Sequence, residues 1–395
     1  MKYLMSVFLL ASIIFITWCN NNDPEKSVST KSNGSWEIEN KGINENKWNL
    51  QEENKSVNQD DITISPWIEW LDTPWELVFV DSDTALVTQR RWVISIIKNW
   101  VLQSDPYWEA PSTEFWEWGL MWLEKDPNYE NNWFLYTMYG TDKDTNIDWY
   151  ITKVVRLKEN SAGELEINKI LIDNIPAAKY HDWGRIKFGP DDKLYITTWD
   201  ATNPDLAQDL NSLAGKILRI NSDWSIPNDN PFENSPVYSY GHRNPQGLAW
   251  NEAWDLFMST HGPSGEFGLT AKDRVDYITA WTNYGWPEAY GPDQWFPNPL
   301  AYWPDTATPP GWMVFWNESL YVATMNSETL VKLDIENSQE TYKLINEERW
   351  FEWEYGRLRN IIEWPDNNLY LMTTNADGRG SIWPWKDIIY KVSIK

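Results

Sequence analysis

Six times along the chain, a short turn rich in Pro, Asp, Asn or Gly precedes an alternating run of apolar and polar residues with Thr or Ser near its end. The copies are "FVDSDTALVT" (Phe79–Thr88), "EKDPNYENNWFLYTM" (Glu124–Met138), "FGPDDKLYITT" (Phe188–Thr198), "AWNEAWDLFMST" (Ala249–Thr260), "VFWNESLYVAT" (Val314–Thr324) and "EWPDNNLYLMTT" (Glu363–Thr374). They recur roughly every 45–65 residues. Period-two alternation bounded by turn residues is the strand signature. Each copy is followed by a further strand-like run, such as "KILRI" (Lys216–Ile220), "LVKLDI" (Leu330–Ile335) or "IIYKVSI" (Ile388–Ile394). Long helical patterns are absent. Regular β repeats of this size predict an all-β, six-bladed β-propeller of four-stranded antiparallel blades. Loops between blades then gather at one mouth, where ligands bind.

The N-terminus reads differently. Lys2 and the apolar run Tyr3–Thr17 suit a signal peptide and are too short to span a membrane as a mature helix. "ITWCN" (Ile16–Asn20) resembles a lipobox, with Cys19 as the lipidated residue and Trp18 where a small residue belongs. The alternative is a buried thiol in an ordinary signal sequence. Cys19 is the only cysteine, so the chain forms no internal disulfide. Residues 20–61 are rich in Asn, Ser, Lys, Glu and Asp, which predicts a flexible polar tether. The expected organisation is a lipoprotein signal over 1–19, a linker over 20–61 and the propeller over 62–395. The expected location is extracytoplasmic, anchored in a membrane at the cell surface or facing the periplasm.

Tryptophan use complicates the picture. The chain has 30 Trp and 19 Gly, an inversion of ordinary usage. Many of the tryptophans stand where turns call for glycine. "KNWVL" (Lys98–Leu102) and "SDWSI" (Ser222–Ile226) place Trp after Asn or Asp between apolar runs, where Asn-Gly and Asp-Gly favour hairpins. Trp364 in "EWPDNNLY" replaces Gly189 of "FGPDDKLY", and "TTWD" (Thr197–Asp200) and "AWTNYGWP" (Ala280–Pro287) repeat the pattern. A side chain with a Cβ costs roughly 1–2 kcal/mol in the left-handed conformation that such turns require. The expectation is a gene in which UGA encodes glycine, with Trp75, Trp286 and Trp303 as genuine tryptophans. The alternative is a Trp-rich interaction surface.

Net charge is −25, from 33 basic and 58 acidic residues, which argues against a nucleic-acid partner and suits divalent cations. The three histidines, His181, His242 and His261, all lie in loop-like segments: "YHDWGRIKFGPD", "GHRNPQGLAW" and "THGPSGEFGL". One such histidine is ordinarily structural. Three in separate loops, each near Arg, Asp or Gly-Pro, suggest a site.

These segments carry a resemblance. With "EWGLMWLEKDPNY", "TNYGWP" and "GRLRNIIEWPDNNLY", and with glycine at the suspect tryptophans, they run in the order of the glucose/sorbosone dehydrogenase family. Its soluble-type aldose sugar dehydrogenases use pyrroloquinoline quinone (PQQ). The likeness covers about Pro66 to the C-terminus, and the family fold is a six-bladed propeller.

The resemblance implies His181 as the base that takes the proton of the sugar's anomeric hydroxyl while hydride passes to the quinone. It places Glu117 beside cofactor and substrate, against the plainer reading of a solvated loop carboxylate. Arg243 and Asn244 match cofactor contacts, and Arg243 would stabilise charge on the quinone oxygens. Arg357 and Arg359 match the pair that grips PQQ carboxylates, against the plainer reading of an exposed strand with solvated charges. Gly262 and Pro263 match carbonyls that hold Ca²⁺, while Asp273 and Asp276 match an acidic stretch open to a structural role. The chain departs from the family pattern where some members carry a blade-five lysine. "ATMNSETL" offers none before Lys332, and the segment between "HGP" and "DRVDY" is longer than usual. Trp183, taken literally, would crowd His181.

The function expected is therefore PQQ- and Ca²⁺-dependent oxidation of an aldose at C1 to the lactone. The electron acceptor is unspecified. Two alternatives stand beside it: a non-catalytic cell-surface propeller that binds a glycan or protein, and a Ca²⁺-dependent lactone hydrolase. The hydrolase would not need carboxylate-binding arginines.

Overall fold

The computed structural model describes residues 57–112, 119–141, 150–178, 184–339, 341–364, 366–380 and 386–394. They form the six antiparallel blades that the repeat predicts. Each recurring phrase is the hairpin between the first two strands of a blade. The innermost strands are Pro74–Phe79, Leu120–Lys125, Arg185–Phe188, Asn244–Trp250, Pro310–Trp316 and Leu358–Glu363, and each packs on the next around a ring. The strand-like runs that follow the phrases are the third strands Lys216–Ile220, Leu330–Asn337 and Asp387–Ile394. The blade that begins at Pro74 carries one extra short strand, Trp108–Glu109. The one α-helix among the described residues is the single turn Tyr129–Asn132.

The ring closes by pairing the two ends of the described chain. Ile62–Leu71 adds antiparallel to Asp387–Ile394, from Ile62 opposite Ile394 to Leu71 opposite Asp387, with register shifts between Pro66 and Ile68 and between Ile68 and Leu71. The buried Asp387 carboxylate accepts hydrogen bonds from Thr73 N (3.1 Å), Thr373 Oγ1 (3.0 Å) and Asn375 N. It therefore ties the chain before the first blade to the last.

Inner strands are buried on both faces, so their apolar residues form layers between blades. One such layer brings together Trp75, Tyr136, Ile186, Leu194, Ile196 and Leu218. The hairpin phrases carry matching turn chemistry. Gly189 N donates to Lys193 O (2.9 Å) and Asp192 N to Gly189 O (3.0 Å). Trp364 N and Asn367 N repeat this pair, donating to Asn368 O (3.1 Å) and Trp364 O (2.8 Å).

Among the described residues eight tryptophans adopt the left-handed conformation: Trp70, Trp92, Trp100, Trp133, Trp224, Trp254, Trp281 and Trp353, with φ between 60° and 81°. Trp100 follows Asn99, also left-handed, as a two-residue hairpin turn requires. Trp133 ends the Tyr129–Asn132 helix in the position that glycine usually takes. Two expectations need correction. Trp199 and Trp364 are not left-handed, so backbone conformation does not call for glycine there. Trp199 is instead buried, as are Trp122 and Trp312, and none of these three indole N–H groups has a partner among the described residues. The Arg185 guanidinium carbon lies 2.9 Å from the centre of the Trp312 ring, inside the usual carbon–carbon contact of about 3.5–4.0 Å. Crowding thus singles out Trp312 where the turn argument did not.

Candidate active site

The inner strands share one direction, so residues at their N-terminal ends meet at one face of the ring. Arg243 and Asn244 stand at the start of the Asn244–Trp250 strand, and Arg357 and Arg359 at the start of Leu358–Glu363. His181 and Glu117 lie outside the described residues. The inner strands that follow them in sequence begin at Arg185 and Leu120.

Arg357 and Arg359 are buried, which overturns the reading of an exposed strand with solvated charges. Both turn toward Asp377. Arg357 Nε and Nη2 lie 3.0 and 2.9 Å from Asp377 Oδ2, and Arg359 Nη2 lies 3.9 Å from the same atom. Arg357 Nη1 also donates to Asn326 Oδ1 (2.5 Å). The Arg359 guanidinium lies 4.0 Å over the Trp75 ring. Two fixed cationic forks beside a single carboxylate make a strong anion-binding surface.

Arg243 is also buried. Its Nη1 donates to His261 O (3.2 Å) and its Nη2 to Glu266 Oε1 (2.5 Å). His261 Nε2 lies 2.7 Å from Pro310 O and must donate to it, so Nδ1 is left to accept from Asn244 Nδ2 at 3.4 Å. Gln246 Nε2 in turn donates to Asn244 Oδ1 (2.8 Å). The side chains of this face are thus oriented by one another.

The loop after His261 carries Gly262 and Pro263. Gly262 N donates to Asp273 Oδ1 (2.9 Å), and Thr308 N donates to Asp273 Oδ2 (2.8 Å). Burial pushes the Asp273 carboxyl up to about 6. A Cβ on residue 262 would sit 2.1 Å from Ala271 O, so only glycine fits. Asp276 is buried in an ion pair with Arg274 (2.9 Å). Both carboxylates are therefore committed to structure. Among the described residues no three His, Cys, Asp or Glu side chains converge, so a cation here would rest on carbonyl oxygen, which suits Ca²⁺.

Other residues fall away from the site. His242 is buried, hydrogen-bonds Ser239 Oγ through Nε2 (2.8 Å) and stacks on Tyr284; burial holds its pKa well below the ordinary value. Lys332 pairs with Asp334 (3.1 Å) and Glu348 (3.3 Å) within its own blade. Lys272 shares a pocket with Arg243, His261, Pro263 and Trp286, while its ammonium donates to Pro304 O (3.0 Å). Sequence reasoning missed Lys272, Glu266, Asp377 and Asn326.

Below the arginines a buried polar group plugs the ring. Arg185 Nη2 lies 2.6 Å from Glu76 Oε2, and Asn360 Nδ2 donates to Glu76 Oε1 (2.8 Å). Burial pushes Glu124, which lies near Glu76, Arg185 and Lys187, up to about 7.

The chain is thus a six-bladed propeller with buried arginines at the starts of its inner strands. The chain belongs to the Glucose / Sorbosone dehydrogenase family, whose model matches residues 71–383. It is 32% identical over 201 residues to quinoprotein glucose dehydrogenase B of Acinetobacter calcoaceticus, a match covering 44% of this chain and 40% of that protein. An uncharacterized Synechocystis protein is 26% identical over 378 residues, covering 82% of this chain and 86% of its own. The fold is similar to the PQQ-bound form of aldose sugar dehydrogenase from Streptomyces coelicolor. That comparison gives a TM-score of 0.74 at 29% identity, over 84% of this chain and 98% of that one.

Proposed function

We propose that the protein oxidises the C1 hydroxyl of an aldose to the lactone, using PQQ and Ca²⁺ held at the arginine-rich face. The observation that carries this reading is the pair of buried arginines, Arg357 and Arg359, turned toward Asp377 at the same face as Arg243. Such donors fit a ligand with several carboxylates, and a lactone hydrolase would not need them.

Bound there, PQQ would supply the hydride acceptor. His181 takes the anomeric proton as C1 gives up hydride, a task that suits a group titrating near neutrality. Arg357 and Arg359 would hold carboxylates of the cofactor. Arg243, hydrogen-bonded to the His261 carbonyl, would offer a positive charge to a quinone oxygen of the bound cofactor. Asn244, oriented by Gln246 and His261, is a second contact. Gly262 and Pro263 would hold Ca²⁺ through their carbonyls, and Glu117 would contact the substrate. Cys19 carries the lipid that tethers the enzyme outside the cytoplasm.

The test is to load the protein with PQQ and Ca²⁺ and assay dye reduction with a panel of aldoses. Turnover that a chelator abolishes and Ca²⁺ restores is expected. Binding of PQQ with no turnover on any aldose would overturn the reading in favour of a non-catalytic propeller.

A further inference from the structure

The segment between Gly262 and Lys272 forms a finger over the Arg243 pocket. Ser264 bridges Thr270, Gly265 N donates to Leu269 O (2.8 Å), and Gly268 N donates to Gly265 O (3.1 Å). Its backbone is strained. Phe267, Ala271 and Lys272 have φ of 53°, 62° and 67°, a region that costs residues with a Cβ. A Cβ on Gly265 or Gly268 would meet nothing within 4 Å among the described residues, so the tip stands clear of the blades. Two contacts bring it down onto the site. Glu266 Oε1 pairs with Arg243 Nη2, and the Phe267 ring lies 5.9 Å from that of Trp286. Phe267 is otherwise exposed. The pocket between Arg243, Gly262, Pro263, Lys272, Trp286 and Tyr290, at the base of the finger, is about 10 Å³, room for one water.

We infer that Glu266 is a resident competitor for Arg243. Its carboxylate takes the position that an acidic quinone would take, and the finger must lift for the cofactor to enter. Glu266 therefore sets cofactor affinity without touching the reacting atoms. The finger starts at Gly262 and Pro263, so lifting it also moves the carbonyls assigned to Ca²⁺. The pair is well placed for exchange: Arg243 is 2% exposed and fixed, while Glu266 is 28% exposed and rides on a strained loop. This inference rests on the reading of Arg243 as a cofactor contact.

Two measurements on the full chain separate the inference from that reading. The first is amide hydrogen exchange over residues 262–272 in protein freed of cofactor. Glu266→Gln keeps the shape of the side chain and removes its charge, and it should speed exchange roughly three- to tenfold, as loss of a latch would. Phe267→Ala, which keeps the carboxylate, should act in the same direction. The second is PQQ binding by fluorescence quenching. A competent state populated only in part lowers apparent affinity by that fraction, so Glu266→Gln should bind PQQ roughly 3- to 30-fold more tightly. Unchanged exchange in both variants would overturn the inference, as would weaker PQQ binding by Glu266→Gln. If neither parent nor variant binds PQQ, the cofactor reading fails, and the exchange result alone decides whether Glu266 is a latch.

Discussion

Replacing the eight left-handed tryptophans by glycine should stabilise the protein, and replacing Trp75 or Trp286 should do the opposite. At Trp70, Trp92, Trp100, Trp133, Trp224, Trp254, Trp281 and Trp353 the backbone sits at positive φ. A Cβ costs roughly 1–2 kcal/mol there, so the eight sum to roughly 8–16 kcal/mol. That is as large as the ~5–15 kcal/mol that holds a folded domain together. Little burial is lost in exchange, since seven of the eight are exposed by 37% to 72%. Trp75 and Trp286 are buried and lack positive φ, and Trp286 Nε1 donates to Asp200 Oδ2 (2.8 Å). Truncating either leaves a cavity, a loss of roughly 3–5 kcal/mol. The assay is urea unfolding, with stability read from the midpoint and slope. The eight-glycine chain should unfold cooperatively at a much higher midpoint than the tryptophan chain, and Trp286→Gly should lower it. Equal or lower stability of the eight-glycine chain would refute the argument. So would a gene in which all eight codons are UGG rather than UGA.

Further outcomes follow from the site and its supports. Arg357→Ala or Arg359→Ala should weaken PQQ binding by roughly one to two decades, measured by fluorescence titration, because a carboxylate loses a charged hydrogen bond. His181→Gln should lower kcat by about 10²–10⁴ while PQQ still binds, and the parent's rate should fall at acid pH as the imidazole protonates. Lys216→Met should lower stability by roughly 2–4 kcal/mol, seen as a shift in urea midpoint with an unchanged slope. The buried ammonium donates to the carbonyls of Leu206 (2.8 Å), Ala207 (3.1 Å) and Ala214 (2.6 Å), and all three would lose that donor. Cys19→Ser should move the protein from the membrane fraction to the soluble one on cell fractionation, since buried acyl chains supply the anchoring.

Local chemistry made the blades legible. A turn such as Gly189–Asp192 and the alternation after it are written in consecutive residues, and six of them imply six blades. The closing strand Ile62–Leu71 left no such mark, because its partner is Asp387–Ile394 at the far end of the chain. The site divides in the same way. Arg243, Asn244, Arg357 and Arg359 sit at the starts of inner strands, where sequence position alone brings them to one face. Glu266 and Asp377 reach those arginines through loops whose path depends on strained backbone and burial, which residue order does not reveal. The tryptophans were half legible. Turn context found Trp100 and Trp224, but Trp312 is marked only by its crowding of Arg185.

Sugar oxidation is tested most directly by a single turnover. The protein, loaded with PQQ and Ca²⁺ and free of other electron acceptors, is mixed with an excess of an aldose while the absorbance of the bound cofactor is followed. The account predicts a first-order spectral change to the reduced cofactor, at a rate that saturates with sugar, and one lactone formed per site. If the cofactor binds but stays oxidised with every aldose tried, the protein is not a sugar dehydrogenase.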